Sequence, residues 1–340
     1  MAQPYSTEDT TGSKMQYLLS TYYERKFLTR LTSNFVLYPL MTKTYLPAGE
    51  GKIVKWSRYS NWRAGIELTE GSAPSPVAMS AANVTATLTQ LGGFIQSSDL
   101  LSMTCIDRNL EGATQVLADG AAFSVDTYIL RAMIGLTGGS VSSDDVIVPA
   151  ASSQVTRNGL LMKYFNDRIL ISGVVAANVA TLDEVRQCVR NLRKLDAKPF
   201  SDGYYVGVIH PQVAFDIMGD TATAGWADWQ KYTTPEVMYK GEIGRAMGVR
   251  FIESTNMFRH SSGAGASTSA YYTPIFGPDA VGVVEIGGEN PGINLFVKGP
   301  NQYDTNNPLN QWSTVGYKIT FAARVLNPSC GVILVTGSNA

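Results

Sequence analysis

The stretch that decides the fold is residues 52–59, Lys-Ile-Val-Lys-Trp-Ser-Arg-Tyr, which has the composition of a β-strand. A second strand pattern, residues 83–90, Asn-Val-Thr-Ala-Thr-Leu-Thr-Gln, alternates strictly between apolar and polar side chains. The residues between them are rich in Gly, Pro, Ser and Ala, and they outnumber the usual two to five residues of a hairpin loop. We therefore predict an extended β-hairpin whose long tip, residues 60–82, is ordered by a partner.

This hairpin carries the densest cluster of aromatic and basic side chains in the chain. The cluster consists of Lys55, Trp56, Arg58, Tyr59, Trp62 and Arg63. Aromatic and basic side chains together could stack single-stranded bases, but Trp, Tyr and Arg also contribute most of the binding energy in protein interfaces. On a projecting hairpin we favour the second interpretation. The predicted contact residues between subunits are Trp56, Arg58, Tyr59, Trp62 and Arg63.

Helical patterns flank the hairpin on both sides. Residues 13–34 carry apolar and aromatic side chains at close to helical spacing, which predicts an amphipathic helix on a polar N-terminal arm. Residues 108–136 contain no proline and carry apolar side chains along their whole length, before the breaker Gly138-Gly139-Ser140. The second pattern predicts one helix about 40 Å long, which is longer than most helices of globular proteins.

The middle of the chain mixes helix and strand. Thr181-Leu-Asp-Glu184 is a capping-box pattern, in which the hydroxyl and the carboxylate each accept from an exposed backbone N–H, and it predicts a helix start. Residues 204–209 form a short apolar run suited to a buried strand. His210-Pro211 should end this strand and open the next helix, because proline is tolerated at the first helical position.

The C-terminal part predicts two strands. Residues 317–325 alternate between apolar and more polar side chains, Asn327-Pro328-Ser329 has turn composition, and residues 330–335 are apolar. We interpret them as a closing hairpin. The fold class predicted from all these elements is α+β.

The composition indicates a chain that associates. Hydrophobic residues make up 44% and charged residues only 16% of the 340 residues, below the roughly 25% charged residues of typical soluble domains. We infer that neighbouring subunits cover much of the surface. The formal net charge of −1 excludes a globally basic nucleic-acid binder, so any contact with nucleic acid must be local and weak.

Neither a membrane span nor a secretion signal is indicated. No stretch reaches the ~18 apolar residues of a transmembrane helix, and the first residues lack the charged start and apolar run of a signal peptide. The three cysteines lie far apart without a CxxC pair, so we expect neither a disulfide framework nor a zinc site.

Sequence motifs typical of catalytic sites are weak in this chain. The two histidines, His210 and His260, have no second ligand at metal spacing. Gly241, Gly244 and Gly248 do not have phosphate-loop spacing, and they favour a turn or close helix packing. Asp144, Asp145 and Asp202 are best interpreted as solvated loop acids. We therefore predict a non-enzyme without catalytic, cofactor-binding or metal-binding residues, although a hydrolase whose triad is dispersed along the chain stays an alternative.

The order of these elements and several local strings resemble a known family. The strings are GKIVKWSRY at 51–59, LTEG at 68–71, VTATLTQ at 84–90, IHP at 209–211 with Asp216, GEIGR at 241–245 and GVRFIESTN at 248–256. In this order they look like the major capsid family of the N-four-like podoviruses, tailed bacteriophages whose capsid proteins have the Hong Kong 97-type fold. Residues 137–180 and 261–270 depart from that pattern.

The resemblance implies a division of the chain. The divisions are an N-terminal arm at 1–47, an extended loop at 48–97, a peripheral domain with the spine helix and a loop insertion at 98–179, an axial domain at 180–295, and closing strands of the peripheral domain at 296–340. The extended loop would lie over a neighbouring subunit. Replacing Trp56 and Trp62 by Ala would then leave the subunit folded while blocking closed shells.

The resemblance also implies a function, partners and a location. The chain would be a major capsid protein that assembles with copies of itself as hexamers and pentamers into the icosahedral shell of the virion, in the host bacterial cytoplasm. Portal, scaffolding and decoration proteins would be further partners, and packaged DNA a weak, non-specific one. The family implies no catalytic residue and no cofactor. An encapsulin-type nanocompartment, which uses the same fold to enclose a cargo enzyme, is the chief alternative.

Overall fold

A computed structural model gives the fold of most of the chain. The described residues are 13–47, 51–59, 67, 70–71, 78–104, 109–135, 160–164, 178–219, 244–260, 270–286, 293–298, 309 and 311–338. The helices in these residues are α1 Ser13–Asn34, α2 Asp99–Thr104, α3 Asn109–Ile134, α4 Leu182–Lys194 and α5 Pro211–Met218. The strands are β1 Thr42–Leu46, β2 Ile53–Tyr59, β3 Ala81–Thr87, β4 Thr89–Ser98, β5 Leu161–Tyr164, β6 Tyr205–Ile209, β7 Arg245–Ala246, β8 Val249–Glu253, β9 Arg259–His260, β10 Ala270–Phe276, β11 Val281–Ile286, β12 Ile293–Lys298, β13 Trp312–Val325 and β14 Gly331–Gly337.

A five-stranded sheet is built around the long strand β13. One edge of β13 pairs antiparallel with β4 over ten residues, from Trp312 opposite Ser98 to Phe321 opposite Thr89. The other edge pairs with β12 and then with β11, and β1 lies parallel to β11. The strand predicted at 317–325 is therefore confirmed, and it begins five residues earlier than its alternation indicated.

The two predicted long helices are confirmed as α1 and the spine helix α3, and they pack against each other beside this sheet. Members of both helices and of β13 share one hydrophobic core, among them Phe27, Leu31, Val125, Ile129, Met133, Ile319 and Phe321. Lys26 pairs with Glu111 across the helix pair, and Arg30 holds Asp119 through two hydrogen bonds of 2.6 and 2.8 Å. The C-terminal half of α1 therefore belongs to the core of the molecule.

A buried carboxylate, Asp126 on the spine helix, ties this helix to the turn that follows α1. Its Oδ2 accepts from the backbone N–H of Val36 at 2.9 Å, and its Oδ1 accepts from those of Leu37 and Tyr38 at 3.3 Å each. Burial raises the pKa of the Asp126 carboxyl group to about 6, although the N–H groups of Val36 and Leu37 favour its charged form. The side chain thus supplies acceptors to three backbone donors of the turn.

Replacing Asp126 by Asn is expected to remove a pH dependence of stability. The folded state keeps the Asp126 proton up to a pH of about 6, whereas the unfolded state releases it near a pH of about 4. The free energy of unfolding of the wild type should therefore fall as the pH rises through this window and then level off. The change is on the order of 3 kcal/mol relative to Asp126→Asn, and denaturant titrations across the window measure it.

Asp119→Asn is the matched control, because the pKa of Asp119 is shifted in the opposite direction. The hydrogen bond from Arg30 lowers it, so the contribution of Asp119 to stability is present above the unfolded pKa and is lost as the pH falls. The wild-type advantage over Asp119→Asn should shrink towards acid pH, and the advantage over Asp126→Asn should grow. Parallel pH profiles of wild type and Asp126→Asn would contradict the prediction.

A second sheet has the order β5-β14-β10-β6-β8-β7, with β9 on β10. Helices α4 and α5 share a hydrophobic core with it. The helix start predicted at Thr181 is confirmed, since its Oγ1 accepts from the backbone N–H of Glu184 at 3.4 Å. The buried strand predicted at 204–209 is confirmed as β6, every residue of which is buried. As predicted, His210 and Pro211 end this strand and begin α5.

The closing hairpin predicted at the C-terminus is wrong. The turn after β13 is a short 3-10 helix, Pro328–Cys330, and it carries the chain from the first sheet into the second, where β14 lies antiparallel to β10 and parallel to β5. The physical reason is that β14 is buried along its whole length, so it needs a strand on each edge and cover on each face. A hairpin with β13 would leave one of these edges open.

The membership of strands in the two sheets does not follow two of the predicted domain boundaries. Strand β11 lies within the segment predicted as the axial domain at 180–295, and β12 crosses the end of that segment, yet both pair with β13 in the first sheet. Conversely β14, within the closing segment at 296–340, belongs to the second sheet. Residues 89–97, assigned to the extended loop at 48–97, form part of β4 and pair with β13.

The predicted early hairpin is confirmed, with a shorter second arm. Strands β2 and β3 pair antiparallel from Ile53 opposite Thr87 to Tyr59 opposite Ala81, and they form a separate two-stranded sheet. Leu88 ends the arm: its backbone N–H donates to the Lys52 carbonyl at 3.0 Å, and its side chain is buried. Trp62, Arg63 and most of the predicted tip at 60–82 lie outside the described residues, as does almost all of the segment at 137–180.

Candidate interaction surfaces

Trp56, the central residue of the predicted contact cluster, is engaged within its own chain. Its indole Nε1–H donates to the Thr44 hydroxyl oxygen at 3.0 Å. Its ring is half-buried against an apolar cluster formed by Leu46, Val54, Ala86, Leu88, Val284 and Ala322. The side chain therefore fastens the base of the hairpin to strands β1, β11 and β13.

The remaining predicted contact residues differ in their surroundings. Arg58 donates through Nη1 to the side-chain oxygen of Asn327 at 3.0 Å, so it links the hairpin to the turn after β13. Tyr59 ends β2 with 58% of its side chain exposed, and it is free to meet a neighbouring subunit. Trp62 and Arg63 lie outside the described residues. The interface at this cluster therefore stays a prediction, with Tyr59 as its most exposed described member.

Trp56→Ala is consequently expected to destabilise the subunit itself. The half-buried ring and its hydrogen bond should together be worth about 2 kcal/mol of the free energy of unfolding, below the 3–5 kcal/mol of a fully buried aromatic. Trp56→Phe, which keeps most of the packing, should cost about 1 kcal/mol. Tyr59→Ala is the matched control and should cost less than about 0.5 kcal/mol. Denaturant titration of purified subunits measures all three stabilities. An unchanged stability in Trp56→Ala would show that Trp56 does not stabilise its own subunit, and would support its predicted role in the contact between subunits.

The outer face of the first sheet presents an apolar surface that the sequence analysis missed. Phe94 of β4 and Phe296 of β12 are both paired with Gly316 of β13, so the two rings stand on either side of a glycine. Their exposed fractions are 72% and 54%. Between and around them lies a shallow groove of about 510 Å³, whose rim includes Lys298 and Lys318. We call this surface the phenylalanine groove.

Glycine at position 316 keeps this groove open. A Cβ at Gly316 would lie 2.9 Å from the Cβ of Phe94, which is closer than real Cβ contacts, and 3.3 Å from the backbone oxygen of Gly93, which is a tight contact. The sequence did hold a signal for the groove. In β4 and β12 alternate residues face the core, namely Ile95 in β4 and Ile293, Leu295 and Val297 in β12, and each phenylalanine occupies a position of the opposite, solvent-facing set.

The candidate catalytic residues have structural roles where the structure describes them. The Nδ1 of His210 accepts from the backbone N–H of Gln212 at 3.1 Å, which caps α5, and burial followed by the charge of Arg259 lowers the pKa of this imidazole. Asp202 forms an ion pair with Arg250 at 3.0 Å. Gly244 and Gly248 both have positive φ, at 60° and 84°, so the turn predicted from the glycine spacing is confirmed there.

Gly241 and the Asp144-Asp145 pair lie outside the described part of the structure, as does the side chain of His260. Among the residues that the structure describes, no group of three His, Cys, Asp or Glu side chains is arranged to hold a metal ion. No helix in that part of the chain combines the length and the apolar composition needed to cross a membrane.

Comparison with known proteins gives a fold. No protein-family model matches this sequence, and no curated protein sequence matches it. Among solved structures, the capsid asymmetric unit of cyanophage Pam1 is similar with a TM-score of 0.64 and 14% identity, over 89% of this chain and 92% of that one. The capsid of Ralstonia phage GP4 gives 0.63 and 14%, over 90% and 92%. The capsid of Helicobacter pylori bacteriophage KHP30 gives 0.61 and 10%, over 90% of each chain.

These similarities span both the helix-flanked sheet around β13 and the second sheet, because they cover about nine-tenths of the chain. Sequence identities of 10–14% carry no residue-level correspondence. The α+β chain therefore has the Hong Kong 97-type fold of tailed-phage capsid proteins, which confirms the fold predicted from its sequence.

Proposed function

We propose that this chain is the major capsid protein of a tailed bacteriophage, which assembles as hexamers and pentamers into the icosahedral head that encloses double-stranded DNA. The observation that carries the proposal is the similarity to phage capsid chains over about nine-tenths of both chains. Neither chain therefore has a large part without a counterpart in the other. The local strings from residue 51 to 256 support a finer assignment, to the major capsid family of the N-four-like podoviruses.

The exposed apolar residues support assembly as the function. A buried Phe contributes about 2–3 kcal/mol relative to an exposed one. Burial of the two exposed rings of the phenylalanine groove between subunits would therefore contribute several kcal/mol to the free energy of association. The 16% of charged residues gives such a surface little protection against association. Each subunit of a closed shell makes several such contacts at once, so weak individual contacts add up to a stable particle.

Further partners follow from the proposed role. A head of this kind needs a portal at one vertex, and scaffolding or decoration proteins assist many such shells. The segments 137–180 and 261–270, which depart from the family pattern, are the proposed docking sites for decoration proteins. The proposed place of the protein is the virion shell, assembled in the cytoplasm of the host bacterium.

Expression of the full chain in bacteria, followed by negative-stain electron microscopy of the soluble fraction, tests the proposal. Closed shells or sheets of hexamers are expected, because the subunit carries its own contacts. A monodisperse monomer or small oligomer that hydrolyses generic esters would overturn the proposal. Shells that retain a co-expressed host enzyme and exclude DNA would instead favour the encapsulin-type compartment.

A further inference from the structure

Four arginines surround a cleft on the second sheet, far along the sequence from the hairpin. The cleft has a volume of about 590 Å³ and lies between α4 and the turn that joins β7 to β8. Its basic side chains are Arg186, Arg190, Arg193 and Arg245. The first three follow one another at spacings of four and three residues, so they form a single stripe along α4. We call this surface the arginine cleft.

The positive charge of the cleft is mostly uncompensated. Asp183 pairs with Arg186 at 2.5 Å. Arg190, Arg193 and Arg245 have no ion pair within the described residues, and the Arg245 guanidinium lies over the ring of Tyr204, 4.8 Å from its centroid. In a chain with a net charge of −1, three unpaired arginines around one cleft are a strong local concentration of charge.

The floor of the cleft is apolar and tightly turned. Met247 and Gly248 both have positive φ, and Ala246 pairs with Val249 across them, which is the geometry of a two-residue hairpin turn. The guanidinium Nη2 of Arg193 lies 3.4 Å from the position that a Cβ of Gly248 would take, so the arginine reaches over the glycine. An apolar floor lowers the local dielectric constant and strengthens the attraction for an anion.

We propose that the arginine cleft binds phosphate oxyanions, and that in the particle its ligand is the phosphodiester backbone of nucleic acid. Guanidinium groups match phosphate oxygens in a two-pronged geometry, and they are less strongly hydrated than ammonium groups. The stripe from Arg186 to Arg193 spans about 10 Å along the helix, the axial length of about three phosphates of one DNA strand. The identity of this ligand rests on the proposed capsid function, whereas the anion site itself does not.

The test compares Arg190→Gln/Arg193→Gln/Arg245→Gln with a control that loses the same charge elsewhere. The control is Lys52→Gln/Lys194→Gln/Lys198→Gln, whose three lysines are exposed and do not line the cleft. Binding of a short double-stranded DNA and of inorganic phosphate to the full-length unassembled subunit is measured over a range of salt concentrations. The arginine variant should bind the DNA about tenfold or more weakly than the control. The slope of log K against log salt should become shallower by about 0.9 for each DNA phosphate that the variant no longer neutralises.

The outcomes separate the sources of the ligand. Loss of DNA binding in the arginine variant alone supports the proposal. Arginine-dependent binding of inorganic phosphate without any binding of DNA would overturn the backbone assignment and leave a site for a free anion. Equal binding by both variants would overturn the anion site, and loss of shells together with equal binding would make the cleft an interface for a carboxylate of a neighbouring copy. DNA binding by a wild-type subunit that never forms shells would refute the capsid function and leave the anion site standing.

Discussion

Replacement of both Phe94 and Phe296 by Asp is expected to leave the chain as folded free subunits that form no shells. Both rings point to solvent in the subunit, so their loss should change the free energy of unfolding by less than about 0.5 kcal/mol. In an interface between subunits, two carboxylates buried opposite apolar groups would cost several kcal/mol, and each 1.4 kcal/mol weakens the association tenfold. Negative-stain microscopy and sedimentation velocity measure the particles, and thermal denaturation measures the fold.

A conservative double variant, Phe94→Tyr/Phe296→Tyr, is the control. It keeps the ring size on both sides of Gly316 and should assemble, because each hydroxyl can point away from the groove into solvent. If the double aspartate variant formed normal shells, the phenylalanine groove would not be an interface between subunits. If the tyrosine variant also formed no shells, the interface at the groove would be packed too closely to accommodate one added oxygen atom on each ring.

The elements that could be predicted from the sequence are those whose information is local. Thr181 caps α4 through a group three residues away, and the alternation of 83–90 specifies which face of β3 is apolar without reference to distant residues. The same alternation could have shown the role of Trp56. Because Trp56 lies opposite Val84, and Val54 opposite Ala86, the indole shares the apolar face of the hairpin.

The pairing of strands, in contrast, depends on residues that are distant in the sequence. Asn327-Pro328-Ser329 indicates that the chain turns, but nothing in those residues states that β14 joins β10 and β5 instead of β13. The continuous apolar run of β14 was the available sign of an interior strand, since an edge strand of a hairpin usually shows one polar face. The arginine cleft was missed for a similar reason: a stripe of arginines on one helix is typical of a solvated face until Arg245 is brought beside it by the β7–β8 turn.

Phe321→Ala is expected to reduce the free energy of unfolding of the subunit by about 3–5 kcal/mol. Phe321 is fully buried on the core side of β13, where it meets the ring of Tyr128 edge-on at 5.8 Å and that of Tyr38 at 6.4 Å. Removing it leaves a cavity between the spine helix and the sheet, and such a loss is a large fraction of the 5–15 kcal/mol that stabilises a typical domain. Denaturant titration of the purified subunit, with Phe296→Ala beside it, measures the effect.

Phe296→Ala is the matched control because it removes the same side chain from the neighbouring strand, on the opposite face of the same sheet. It should leave subunit stability within about 0.5 kcal/mol of wild type and weaken assembly. The two variants should also respond differently to temperature. Phe321→Ala should regain shells when expressed in the cold, because the folded subunit keeps its exposed surface unchanged, whereas Phe296→Ala should not. Equal destabilisation of the subunit by both variants would show that the outer face of this sheet serves the fold as much as the inner face does.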